Sequence, residues 1–195
     1  NNVDAPVYHT TEQVEKAAPG LLSSLPKETQ EDIRKQMINM KIQYRNTQLT
    51  NNPTAFNKQL DQASNEFNVD KKIMKAIGYV ETTSGKNIQV SRAGAIGPMQ
   101  IMPSTINLIV NGRFKADPSL GFTVEGIKTN YEMNMRAGTW LTSRASQKFR
   151  NYGADKLKFI FADYNTGSKN LNVAINLAKS RNLNHKSWNV ILKML

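Results

Sequence analysis

Apolar residues recur at helical spacing along most of the chain. Behind Pro26, which suits the first turn of a helix, Ile33, Met37, Met40 and Tyr44 follow this spacing on one face of a charged segment. The same spacing predicts further helices over residues 56–67, 73–80, 103–109, 131–145, 157–165 and 168–179. No alternating run is long enough to form a sheet, so the predicted fold class is mostly α.

The segment between Glu81 and Pro103 departs from this pattern. It is rich in glycine and hydroxyl residues, and residues 85–99 are predicted to form a short hairpin or an irregular loop. Glu81 falls near the end of a helix that Asp70 is placed to cap. A carboxyl group at a helix end facing an apolar loop is partly desolvated, which raises its pKa and suits a general acid. The alternative is an ordinary exposed glutamate at a helix terminus.

The polar stretch at residues 47–53 is the predicted boundary between two parts of the chain. Residues 1–53 are interpreted as an N-terminal extension, an arm followed by one helix, and residues 54–195 as the main domain. The chain begins with Asn1 and its first segment contains no apolar signal-peptide core, so we expect a processed chain or an excised fragment.

Composition narrows the possible chemistry. The 195 residues include no cysteine and two histidines far apart in the sequence, so neither a metal site nor another cofactor is predicted. No apolar run is long enough for a transmembrane helix. The net charge of +11 favours a polyanionic partner such as nucleic acid, an anionic envelope or a membrane surface. Basic residues are not clearly interleaved with aromatics on one face, so nucleic acid is not the expected partner.

Motifs in the main domain resemble those of the soluble lytic transglycosylase catalytic domain, glycoside hydrolase family 23, which also contains the goose-type lysozymes. Four blocks occur in the family's order: Glu81-Thr82, Gly94-Ala95-Ile96-Gly97-Pro98-Met99-Gln100-Ile101-Met102-Pro103-Ser104-Thr105, Asn134-Met135-Arg136-Ala137-Gly138, and Ala162-Asp163-Tyr164-Asn165-Thr166-Gly167. The resemblance covers about residues 56–179. Thr82 stands where the family usually has serine, Pro98 where it has leucine and Thr166 where it has alanine.

The resemblance implies a lysozyme-like helical fold with a glycan cleft, in which Glu81 is the single catalytic acid/base. Tyr164 corresponds to the family tyrosine near that carboxyl group, with packing as the alternative role. Substrate contacts are implied for four further positions. Gln100 is one of them, and the other three also have a structural alternative: Met99 (core packing), Asn134 (a surface position or a bond to a neighbouring loop) and Asn165 (helix termination).

The implied reaction cleaves the β-1,4 bond between N-acetylmuramic acid and N-acetylglucosamine in peptidoglycan and forms 1,6-anhydro-N-acetylmuramic acid. Glycosidases that use two carboxyl groups need a second one across the scissile bond. None occurs between Glu81 and Asp117, although Asp117, Glu125, Glu132 and Asp163 remain candidates if the chain folds back; Asp163 is expected to be exposed. The alternatives left open are a goose-type muramidase that uses water and a non-catalytic glycan-binding component.

The expected partners are therefore peptidoglycan glycan strands and a larger envelope or phage assembly. The expected place of action is outside the cytoplasm, in the periplasm or cell envelope, or on a phage virion.

Overall fold

The structure, a computed structural model, describes residues 11–195. Its α-helices are α1 (Thr11–Ala17), α2 (Lys27–Leu49), α3 (Pro53–Phe67), α4 (Lys71–Thr82), α5 (Pro103–Val110), α6 (Val124–Thr129), α7 (Tyr131–Lys148), α8 (Lys156–Asn165), α9 (Ser168–Ser180) and α10 (Trp188–Leu192). Two 3-10 turns, Pro118–Leu120 and Gly153–Asp155, connect helices. The prediction of a mostly α, lysozyme-like fold is confirmed. Part of the predicted arm, residues 1–10, lies outside the described residues.

The helix boundaries follow the capping residues of the sequence. The side chain of Asp70 accepts a hydrogen bond from the backbone N–H of Lys72 at 2.8 Å, as expected for the start of α4. Pro53 and Pro103 occupy the first turns of α3 and α5. Helices α6 and α10 were not predicted, because six and five residues are too few to show a helical period.

Two adjoining hydrophobic cores hold the helices together, and the long helix α7 takes part in both. The larger core is centred on α3, α4 and the first half of α7, with Phe56, Met74 and Met135 completely buried. The smaller core joins the end of α7 to α8, α9 and α10 through Phe159 and Leu171. Helix α7 therefore fixes α4, which carries Glu81, relative to α8, which carries Tyr164.

The end of α2 is tied to the rest of the protein by a buried asparagine. The side chain of Asn46 donates to the carbonyl of Thr129 at 2.7 Å and accepts from the N–H of Tyr131 at 2.9 Å. Arg45 pairs with Glu132 at 2.8 Å, and Leu49 enters the larger core. The predicted extension thus shares contacts with the main domain, while its separation at residue 53 stays a prediction.

Within residues 11–195, none of the helices combines the length and the hydrophobicity needed to cross a membrane.

We predict that Asn46→Ala lowers the free energy of unfolding by about 2 kcal/mol, because two buried backbone groups lose their partner. Urea unfolding monitored by circular dichroism would measure the difference. Asn39→Ala, at an exposed position of the same helix, is the matched control and should change stability by less than about 0.5 kcal/mol. Equal effects of both substitutions would contradict the proposed anchoring of α2.

Candidate active site

Glu81 lies in the last turn of α4 and is half-buried. Directly after it the chain reverses, with Thr83 and Ser84 in the left-handed region at φ of +53° and +54°. This reversal ends α4. Glu81 therefore lies beside α8 and is not covered by another turn of its own helix. Ile77, Val80, Phe161, Tyr164 and Asn165 line a small cavity of about 30 Å³ together with Glu81. Burial among these groups raises the pKa of Glu81 above its ordinary value of 4.5.

The Tyr164 hydroxyl group is fixed beside this carboxyl group. It donates a hydrogen bond to the backbone carbonyl of Met99 at 2.8 Å. Burial, and secondly the negative charge of Glu81, hold the pKa of Tyr164 well above its ordinary value of 10. Tyr164 is therefore a neutral phenol, and its oxygen lies near enough to Glu81 for the carboxylate charge to raise its pKa.

The glycine-rich block forms a minimal hairpin next to these two side chains. Ile96 and Ile101 exchange both backbone hydrogen bonds at 3.0 Å, so the segment predicted as a short hairpin or an irregular loop runs into one tight hairpin turn that ends at residue 101. Gln100 closes the turn with a φ of +47°, and its side-chain amide donates to the carbonyls of Gln89 and Gly97, each at 2.9 Å. The amide oxygen of Gln100 has no hydrogen bond with the described residues.

The hairpin is fastened to the helices through its main chain. Asn134, completely buried in α7, accepts from the N–H of Met99 at 2.9 Å and donates to the carbonyls of Ile96 and Ile127 at 3.1 and 3.0 Å. Thr82, next to the candidate acid, donates to the carbonyl of Pro98 at 3.1 Å. The end of α4 and the middle of α7 thus hold the same turn from two sides.

A larger cavity of about 430 Å³ continues from this point. Tyr164 and Asn165 line both cavities, so the larger one begins where the small one around Glu81 ends. Its walls come from Gln100, from α5, from the segment at 113–114, from α7 and from the start of α9. The volume lies within the range of small-molecule binding sites.

The structure brings together Glu81, Tyr164, Gln100 and Asn165 of the six predicted site residues. The other two occupy different positions. Met99 and Asn134 are completely buried, and their polar atoms bond within the protein. We therefore assign Met99 to core packing and Asn134 to a loop anchor, the alternatives already considered from the sequence.

The other carboxyl groups considered as catalytic partners are engaged elsewhere. Glu132 pairs with Arg45, and Asp117 caps the 3-10 turn that follows it. Glu125 lies exposed in the first turn of α6. None of these three lines either of the two cavities described above.

Asp163 differs from expectation. Its side chain is only 13% exposed, because it pairs with Lys148 at 2.7 Å and accepts from the Ser168 hydroxyl group at 2.7 Å. The expected exposure of Asp163 is therefore wrong: α7 and the start of α9 both lie against its side of α8 and provide partners. Asp163 lines the larger cavity with both carboxylate oxygens occupied.

Two residues that shape the site were not assigned a role from the sequence. Thr82 was noted only as a substitute for serine, although its adjacency to Glu81 is the signal for its bond to Pro98. Gly138 lies where a Cβ atom would stand 2.8 Å from the Met99 side chain and 2.9 Å from the Tyr164 hydroxyl oxygen. Because Gly138 has no side chain, the Tyr164 hydroxyl group has room to bond the hairpin.

Among residues 11–195, no three histidine, aspartate or glutamate side chains cluster in a way that would hold a metal ion.

Comparison with known proteins identifies the family. The model of the transglycosylase SLT domain matches residues 58–187, from the first turns of α3 to the start of α10. The chain belongs to the transglycosylase SLT domain family. Members of this family act on peptidoglycan outside the cytoplasm, so the chain carries a peptidoglycan-acting domain of the lytic transglycosylase type. No curated protein gives a significant match.

We predict that Gly97→Ala destabilises this SLT domain much more than Gly94→Ala. Both glycines have positive φ, at +76° and +86°, so either alanine costs about 1–2 kcal/mol of backbone strain. At Gly97 the added Cβ atom would also lie 2.5 Å from the Asn134 amide nitrogen, whereas Gly94 has no atom within 4 Å. The expected total for Gly97→Ala is about 3 kcal/mol or more. Similar unfolding free energies for both variants would contradict the role of Asn134.

We also predict that Glu81→Gln stabilises the fold at neutral pH. A carboxyl group whose pKa is raised in the folded protein favours folding when protonated, and this contribution is lost as the pH rises through the raised pKa. The stabilisation by glutamine should therefore be largest at neutral pH, shrink as the pH falls through the raised pKa, and be almost gone below pH 4.5. Thermal unfolding across pH would measure it, with the exposed Glu31→Gln as control for the lost charge. A stability difference independent of pH would show that Glu81 is not desolvated.

Proposed function

We propose that the protein is a peptidoglycan lytic transglycosylase in which Glu81 is the single catalytic acid/base. The bond cleaved is the β-1,4 bond between N-acetylmuramic acid and N-acetylglucosamine, and the product ends in 1,6-anhydro-N-acetylmuramic acid. One observation carries the proposal: Glu81 is a partly desolvated carboxyl group in a small cavity that shares Tyr164 and Asn165 with the larger cavity, whose own carboxylate, Asp163, is already paired.

Burial raises the pKa of Glu81 and so favours its protonated form, which is the form that the first step uses. Its proton passes to the glycosidic oxygen as the bond from that oxygen to the anomeric carbon breaks. The resulting carboxylate then removes the proton from the C6 hydroxyl group of the muramoyl residue. The C6 oxygen attacks the anomeric carbon, which closes the anhydro ring, regenerates protonated Glu81 and consumes no water.

Tyr164 supports this cycle as a neutral group. Its own proton is committed to the Met99 carbonyl, so its oxygen is oriented to accept a hydrogen bond from protonated Glu81. The raised pKa of Tyr164 keeps the phenol from competing with Glu81 as an acid or base. We propose that this contact orients the acid towards the glycosidic oxygen.

Gln100 and Asn165 are the proposed sugar contacts. The oxygen of the Gln100 amide faces no partner among the described residues and can accept the N–H of an acetamido group, while its nitrogen is held by two carbonyls. Asn165 is exposed at the end of α8 and borders both cavities. Both side chains therefore reach a glycan without displacing core atoms.

We place the action of the enzyme in the periplasm or cell envelope, or on a phage virion, with residues 1–53 as the part that contacts a larger assembly. The contacts of Asn46 with α6 and α7 support a rigid connection between that part and the catalytic helices.

Mass spectrometry of the soluble products from purified peptidoglycan tests the proposal. We expect anhydro-muramoyl products from the wild-type protein and a loss of about 10²–10⁴-fold in their rate of release with Glu81→Gln, because a positioned proton donor contributes about this factor. Glu31→Gln should retain the wild-type rate.

Other products would overturn the assignment. Reducing-end products, heavier by one water, would identify a goose-type muramidase. Binding to peptidoglycan without products from the correctly folded wild-type protein would identify a glycan-binding component.

A further inference from the structure

Two arginine side chains converge on one aromatic ring at the edge of the larger cavity. The Cζ atom of Arg113 lies 5.3 Å from the centre of the Phe114 ring, and that of Arg144 lies 5.0 Å from the same centre. Arg144 also stacks on Trp140 at 5.1 Å. These contacts restrict the orientations of both guanidinium groups. Arg113 and Phe114 belong to the cavity wall.

The charge of this cluster is not balanced within residues 11–195. Neither Arg113 nor Arg144 forms an ion pair with a described carboxylate, and neither does Lys169, which lines the same cavity from the first turn of α9. Asp163 is the carboxylate in the cavity wall, and Lys148 and Ser168 already occupy its oxygens. A recess lined with positively charged side chains attracts anions and raises their local concentration.

The cavity also offers apolar surface next to these cations. Leu108, Phe114 and Leu141 line the same cavity as Arg113 and Tyr164. A ligand that fits must therefore combine an apolar or sugar-like body with a carboxylate at a distance from the scissile bond. A muramoyl residue carries such a group, because its lactyl side chain leads to a stem peptide with free carboxylates.

We propose that Arg113, with Arg144 stacked on the same ring and Lys169 in the wall of the same cavity, forms an anion site for a carboxylate of the stem peptide. The site makes the enzyme prefer peptide-bearing glycan over glycan from which the peptides have been removed. This inference rests on the proposed function, since it takes the larger cavity to be the glycan site. Arg113 acts as a specificity residue and takes no part in bond cleavage.

Binding measurements separate this inference from the catalytic proposal. Isothermal titration calorimetry with the Glu81→Gln protein would compare a soluble glycan oligosaccharide carrying stem tripeptides with the same oligosaccharide after amidase treatment. We expect the peptide-bearing ligand to bind about tenfold more tightly, as one charge-assisted contact provides. Adding Arg113→Gln should remove most of this preference, whereas Arg34→Gln, an equal loss of charge on the exposed face of α2, should leave it intact. Added salt should weaken the preference of the parent protein.

Three results would overturn the anion site. These are equal binding of both ligands by the parent protein, an Arg113→Gln variant with the full preference, and an Arg113→Gln variant weakened equally towards both ligands. Arg144→Gln and Lys169→Gln provide second variants, and thermal unfolding checks the fold of each. Failure of the catalytic proposal gives a different result: the wild-type protein releases no anhydro product, while the preference in binding persists.

Discussion

The buried amide of Asn134 is the interaction on which the geometry of the site depends. It bonds three backbone groups of the hairpin and of α6 at once: the N–H of Met99 and the carbonyls of Ile96 and Ile127. A buried amide or carbonyl left without a partner costs more than a single bond contributes, so the hairpin has one favourable position. Gly97 fits against this amide because it has no side chain. The proposed catalytic groups, Glu81 and Tyr164, are placed relative to this fixed turn.

Desolvation is the second physical theme, and it acts differently on two neighbouring groups. Burial raises the pKa values of both Glu81 and Tyr164. For the carboxyl group this favours the protonated form, and for the phenol it disfavours ionisation. In the proposed mechanism, this one environment makes Glu81 the group that exchanges protons and Tyr164 the group that orients it. That mechanism uses no second carboxylate.

The sequence predicted the helices well where they are long and periodic, as in α3, α4 and α7. Asp70 also marked the start of α4. It could not predict α6 or α10, whose few residues carry no period. For the candidate site, the motif blocks pointed to Glu81 and Tyr164, which the structure places beside the same cavity, but they could not separate a ligand contact from a scaffold contact. Met99 looks the same in either role, and only its burial among other side chains distinguishes them. The arginine cluster lies outside every motif block. Its two halves, Arg113–Phe114 and Trp140–Arg144, are far apart in the sequence, so only the fold brings them together.

The hairpin is held by bonds to its main chain. Thr82 binds the carbonyl of Pro98, Tyr164 binds that of Met99, and Asn134 binds the N–H of Met99 and the carbonyl of Ile96. Peptide groups are common to all amino acids, so these four bonds do not depend on which side chains the bonded hairpin residues carry. Proline at position 98, where the family usually has leucine, therefore presents its carbonyl to Thr82 as leucine would. A substitution at the partly exposed Gln100 can thus alter the surface of the larger cavity without removing these bonds, whereas Gly97 and the buried Met99 are constrained by packing.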